Sequence, residues 1–234
     1  MYRFSRWQTP LNKRFAHIEP FAVTSGARQR NRASGETGHR LPFCLPPRNP
    51  METMMGPRIE TTRLLLRPPE MSDAPDIARY AGDYDIAKMT MLIPHPYPEP
   101  AAEMWVLMRL AGWDKTANRH LILQTRDVDG GEMCGMAGVF KRSPEADWEI
   151  GYWIAKPFWG RGLATEAGQA LIDYARDELA AQAVTAGHYD DNPASGRVLE
   201  KLGFRYTGEA CEQFCLGRLA RANCLDMKLD LAAA

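Results

Sequence analysis

Gly160, Arg161 and Gly162 stand at the mouth of the amphipathic stretch Ala164–Leu179. A helix that begins there presents unpaired N–H groups and about half a positive charge, which favour a phosphate. Glycines admit close backbone approach and left-handed dihedrals, and Arg161 adds a donor that can meet a phosphate. The pattern is neither a Walker A loop nor a G-x-G-x-x-G fingerprint: no Lys-Ser/Thr follows Gly162 and the third glycine is missing. A tight strand-to-helix corner would use the same residues, so the turn by itself leaves both readings open.

Groups able to move protons flank this turn. In WEIGYWIA, strand alternation puts Glu149, Gly151 and Trp153 on one face and Trp148, Ile150, Tyr152 and Ile154 on the other. A glutamate among apolar neighbours suits a general base, although a half-buried strand can also turn a glutamate to solvent. Asn192 and Ser195 open a helix as Asn-Pro-Ala-Ser, where capping is their default role. His188, at a strand end, is either a proton carrier near neutral pH or a surface polar group. His95 and Tyr97 lie in the proline-stiffened loop Leu92–Pro100, which fits an acceptor-facing element.

The elements that must position these groups follow from periodicity and punctuation. Ile59–Arg67 reads as a strand stopped by Pro68-Pro69. Ser72-Asp73 can cap a helix running to about Tyr84, with Pro75 in its first turn. A second helix fits Ala101–Gly112, with Met104, Leu107, Met108 and Ala111 at helical spacing. His120–Thr125 and Met133–Phe140 read as strands around the turn Asp129-Gly130-Gly131. Then come the strand Trp148–Ala155, the helix Ala164–Leu179, the strand Ala183–Tyr189 and the helix Ala194–Leu202, ended by Gly203. Phe204–Gly208 and about Asn223–Leu231 close the order, which is that of a mixed α/β sheet with interleaved helices.

The formal net charge of zero hides an uneven distribution: residues 1–57 carry about +6 and the remainder about −6. A mildly acidic body favours a cationic acceptor over DNA or RNA. Residues 1–55 are Arg-rich, punctuated by Gly and Pro, and without sustained period. They read as a disordered tail, a mis-assigned start upstream of Met51, Met54 or Met55, a targeting peptide, or a basic RNA-touching arm; the expectation is that they are dispensable and that 56–234 is the functional domain. Five cysteines are an odd number at low density, which fits reduced thiols and a cytoplasmic setting. Cys211-x3-Cys215 with Cys224 lacks zinc-site spacing, so no metal is expected and buried thiols in two late strands are. No apolar run approaches the ~20 residues that span a bilayer, and no secretory segment is expected.

The run GYWIAKPFWGRGLATEA, followed after a short strand by DNPASGRVLEKLGF, resembles the GCN5-related N-acetyltransferase (GNAT) family, most closely its Rim-type branch. That branch acetylates the N-termini of ribosomal proteins, and IETTRLLLRPPEMSDAPDI looks like its opening. The resemblance covers roughly residues 58–231. It implies a mixed, largely antiparallel sheet of about seven strands, with acetyl-CoA in a V-shaped splay between the fourth strand, WEIGYWIA, and the fifth, AVTAGHY. It further implies that backbone groups near Ile154 and Ala155 meet the pantetheine arm. The amides of Arg161, Gly162, Leu163 and Ala164, with Gly160 and Thr165 in the same cradle, would hold the pyrophosphate. Trp159 stands where the family generally has Gln or Arg, although the Rim-type branch tolerates Trp. Carried over, Glu149 is the base, Asn192 touches the pantetheine region and Ser195 is the general acid near the sulfur. Leu199 replaces the tyrosine that is the acid in many other branches, which leaves Ser195 or water. Tyr97, Trp153 and His188 would line the acceptor side, with specificity in loops 84–100 and 208–222. The acceptor is a protein N-terminal amine or a small-molecule amine, and the family often forms homodimers. A CoA-binding regulator without turnover and a ribosome- or RNA-associated protein are the other readings.

Overall fold

The computed structural model describes residues 56–112, 118–126 and 131–231. The expected extension 1–55, Trp113 and the turn residues Asp129 and Gly130 lie outside them. The described elements are β1 (Ile59–Glu60), β2 (Leu64–Arg67), α1 (Ala74–Ala81), α2 (Tyr84–Ala87), α3 (Glu99–Gly112), β3 (Arg119–Thr125) and β4 (Met133–Phe140). They continue with β5 (Trp148–Ile154), α4 (Leu163–Leu179), β6 (Ala183–Tyr189), α5 (Pro193–Lys201), β7 (Arg205–Cys215) and β8 (Ala220–Asp230).

The strands form one eight-stranded sheet in the order β1-β2-β3-β4-β5-β6-β8-β7. Every described pair is antiparallel except β5 with β6. The eighth strand arises because Ile59–Arg67 folds back on itself. Thr61 N donates to Leu64 O at 2.8 Å, and Ile59 then pairs with Leu66. Two apolar layers cover the sheet. On one side, Leu64, Leu66, Leu121, Val139, Ile150 and Val184 pack against Leu163, Ala167, Leu171 and Ala175 of α4 and Leu199 of α5. On the other, Ile122, Met133 and Met136 pack against Ile77 and Ala81 of α1 and Ala102 and Val106 of α3.

Four expectations need correction. Asp73 does not cap a helix through its side chain. It takes two hydrogen bonds from Arg67, at 2.7 and 2.8 Å, and a third from Glu70 N at 2.7 Å. The helix expected to reach Tyr84 stops at Ala81, and a separate short turn starts after Asp83. In α3 the buried positions are Ala102 and Val106, while Met104, Leu107 and Met108 are about half exposed. Small Ala102 lets α3 approach the sheet on the neighbouring stripe. Finally, 208–222 is mostly the β7–β8 hairpin, not a loop. Of its thiols, Cys215 and Cys224 are buried and Cys211 is exposed.

The Arg67–Asp73 pair is nearly dry, with side chains 12% and 7% exposed. Its hydrogen bonds and the nearby carboxylate hold the Arg67 guanidinium above its ordinary range. Asp73→Ala strands that cation in the interior and should cost about 3–5 kcal/mol, read as a fall in the urea midpoint.

Candidate active site

The site begins where β5 and β6 part. Their parallel pairing is confined to two rungs, Trp148↔Val184 and Glu149↔Thr185. Beyond them β5 stays on β4 as far as Ile154, and β6 stays on β8 as far as Tyr189. Each strand keeps its outer partner, so a V opens between them without tearing the sheet. Ala155 N donates to Cys134 O at 2.8 Å. By the alternation of an antiparallel ladder, the amides of Ile154 and Tyr152 then point away from β4, into the V. Ala155 itself is spoken for, because its carbonyl accepts from Phe158 N at 2.9 Å. The Ile154 carbonyl accepts the Trp159 indole N–H at 2.6 Å. The expected pairing of backbone near Ile154 and Ala155 with a ligand therefore narrows to the amides of Ile154 and Tyr152. Trp159, the departure from the family pattern, closes an internal hydrogen bond.

Past the mouth of the V lies the Gly-Arg-Gly turn. Gly160 and Gly162 have φ of +76° and +75°, the left-handed region that glycine enters freely. Among the described residues, nothing accepts from the amides of Arg161, Gly162, Leu163, Ala164 or Thr165. No side-chain cap covers this start of α4. A Cβ on Gly160 would meet no atom within 4 Å, and one on Gly162 only Arg63 Nη2 at 3.7 Å. Five free N–H donors around space where two side chains are missing fit a pyrophosphate. The Arg161 side chain does not join them. It donates to Pro157 O at 3.1 Å and lies 5.2 Å over the Phe158 ring.

Across the V, Asn192 caps α5 by accepting from Ser195 N at 3.2 Å. This holds the Ser195 hydroxyl 3.3 Å from that of Tyr152, on β5. Tyr152, by sequence only a strand position, is thereby placed beside Ser195. Burial pushes its phenol up to about 12, only partly offset by the Ser195 hydrogen bond. Leu199 is buried in the core, one turn further along α5.

On the sheet's other face, Glu149 is held by Arg142, with Nε–Oε2 of 2.5 Å and Nη2–Oε1 of 2.7 Å. The same bonds hold the Arg142 guanidinium above its ordinary range. The Glu149 side chain is only 13% exposed, but its neighbour is this cation and not the purely apolar surround expected. Trp153 and Tyr97 each pack against the α1–α3 layer, and burial raises the Tyr97 phenol. His95 is exposed, its Nδ1 2.9 Å from Gly82 O and its ring 5.1 Å from that of Tyr84. His188 does not line an open acceptor pocket. It is 6% exposed beneath α5, with Nδ1 2.8 Å from Tyr189 O and Nε2 3.0 Å from the Tyr206 hydroxyl. A carbonyl only accepts, so Nδ1 carries a proton and the Tyr206 hydroxyl can donate to Nε2. No cluster of three metal-ligating side chains occurs among the described residues, nor is any helix there long and apolar enough to cross a membrane.

Residues 63–205, more than half of the chain, match the acetyltransferase (GNAT) domain, and the chain belongs to that family. It is 31% identical over 150 residues to a Bacillus licheniformis protein named uncharacterized N-acetyltransferase p20, covering 63% of this chain and 82% of that one. Two solved structures share the fold at low identity. RimL, a ribosomal L7/L12 α-N-protein acetyltransferase in complex with coenzyme A, superposes with a TM-score of 0.65 at 17% identity, over 76% of this chain and 100% of its own. The microcin C7 self-immunity acetyltransferase MccE, in complex with acetyl-CoA and AMP, gives 0.64 at 14%, over 77% and 100%.

Proposed function

We propose that this chain transfers the acetyl group of acetyl-CoA to a primary amine, by direct attack while both are bound. One observation carries the reading: the five unpartnered amides and two left-handed glycines at the start of α4, opening beside the V. Acetyl-CoA supplies the activated thioester. The amides of residues 161–165 hold its pyrophosphate, and those of Ile154 and Tyr152 face the pantetheine arm and the carbonyl that is attacked. Glu149 takes the proton of the incoming ammonium. That ammonium competes with Arg142 for one carboxylate, and the Arg142 side chain is 46% exposed. An α-amino group, with a pKa of about 7.7–8.0 against about 10.4 for lysine, asks least of such a base. A protein N-terminus is therefore the favoured acceptor, which the RimL likeness supports; a small-molecule amine is the second reading, supported by MccE.

Ser195 hands a proton to the departing sulfur and takes one back from solvent. Tyr152 keeps its own proton throughout the working pH range, because burial favours the neutral phenol, and so acts as a donor that orients Ser195. Tyr152→Phe should lower kcat about tenfold, the value of one lost hydrogen bond, and should cost little more when it is added to Ser195→Ala. Equal, fully additive losses would separate the two hydroxyls. The order of events is read from initial rates with acetyl-CoA and a free-α-amine peptide varied together. Intersecting lines are expected, and parallel lines would overturn direct transfer.

A further inference from the structure

We infer that Arg63, from the turn between β1 and β2, is part of the phosphate grip at the mouth of α4; this rests on the CoA reading above. Arg63 reaches across about one hundred residues of sequence to the first turn of α4. Its backbone N–H donates to Glu166 Oε1 at 2.7 Å and its Nε to Glu166 Oε2 at 2.7 Å. Thr61 Oγ1 adds a third bond to Glu166 Oε1 at 2.6 Å. Arg63 Nη1 donates to Arg161 O at 2.7 Å, pinning the carbonyl in the middle of the Gly-Arg-Gly turn. Nη2 has no partner among the described residues, and it lies 3.7 Å from where a Gly162 Cβ would sit. An open cleft touches Arg63, Gly162, Thr165 and Glu166 together.

Two consequences follow from charge. Glu166 suits a helix N-terminus but repels a pyrophosphate bound at the same amides. Burial alone would raise its carboxyl, yet the bonds from Thr61 and Arg63 outweigh this and hold it below its ordinary range. Arg63 thus cancels the one acidic charge in the first turn of α4. Its free guanidinium edge then provides the charged donor that Arg161, folded onto Pro157 and Phe158, does not. Arg63 is therefore both a positioning residue for the turn and a phosphate contact.

Calorimetric titration with coenzyme A tests this. Arg63→Gln should weaken binding about tenfold or more, while Arg161→Gln changes it less than about threefold. Turnover of acetyl-pantetheine, which has no phosphates, should stay within about twofold in Arg63→Gln, since a merely structural role would lower both cofactors alike. If Arg63→Gln does not fold, Arg63→Lys keeps the charge but loses the two-pronged reach, and it is read by the same comparison. Unchanged coenzyme A affinity, or equal losses with both compounds, overturns the inference. A parent protein that binds no coenzyme A would instead sink the cofactor reading, and it shows this before any substitution is made.

Discussion

Gly162→Leu should weaken acetyl-CoA binding by about 100-fold or more while costing the fold only about 1–2 kcal/mol. The two effects separate because the protein itself leaves the position open. In the free chain a Cβ at 162 meets nothing nearer than Arg63 Nη2 at 3.7 Å, so the left-handed φ of +75° is the main stability cost. With the pyrophosphate held at this turn as proposed, the same side chain projects into its place. It displaces at least two charge-assisted N–H contacts, each worth about 1.5–3 kcal/mol. Calorimetry with acetyl-CoA and urea unfolding of the same variant read both numbers. Binding and stability losses of similar size would make the turn a structural corner and nothing more.

Glu149→Gln should lower kcat/KM for the amine by about 100-fold to 10,000-fold, with acetyl-CoA binding unchanged, because the amide cannot accept the ammonium proton. The bidentate Arg142 pair raises an obvious alternative, that Glu149 exists only to hold Arg142. Arg142→Ala discriminates. If Glu149 is the base, removing the competing cation leaves activity within about threefold; if it is a mere partner, Arg142→Ala falls as far as Glu149→Gln. A Glu149→Gln enzyme within about threefold of the parent removes the assignment.

Elements that signal themselves locally were legible in the sequence. Met133–Phe140 and Ala183–Tyr189 are apolar runs bounded by turn residues, and they are β4 and β6 to the residue. The helix after Gly162 and the Asn192 cap were equally plain, since glycine at a left-handed position and Asn-Pro at a helix start act within a few residues. What escaped depends on partners outside the local run of sequence. The strand expected over Phe204–Gly208 runs on to Cys215, and its continuation Glu209–Glu212 is exposed and shows no alternation; it is a strand only because β8 lies beside it. Nothing within a few residues of Asp73 announces Arg67, and nothing near Ser195 announces Tyr152, 43 residues earlier. The same holds for Arg63 and Glu166, and for Arg142 beside the chosen base. For Ser195 and Glu149 residue type identified a group able to do chemistry, and the fold decided what that group faces.

The central claim is that a thioester held in the V is consumed by an amine. Its most direct measurement is continuous release of coenzyme A thiol from acetyl-CoA, with and without peptides bearing a free α-amine, free amino acids and polyamines. The account predicts release that requires both protein and one of these amines, with the acetyl group recovered on the amine nitrogen. Saturable binding of acetyl-CoA with no amine-dependent release across all three classes would contradict it.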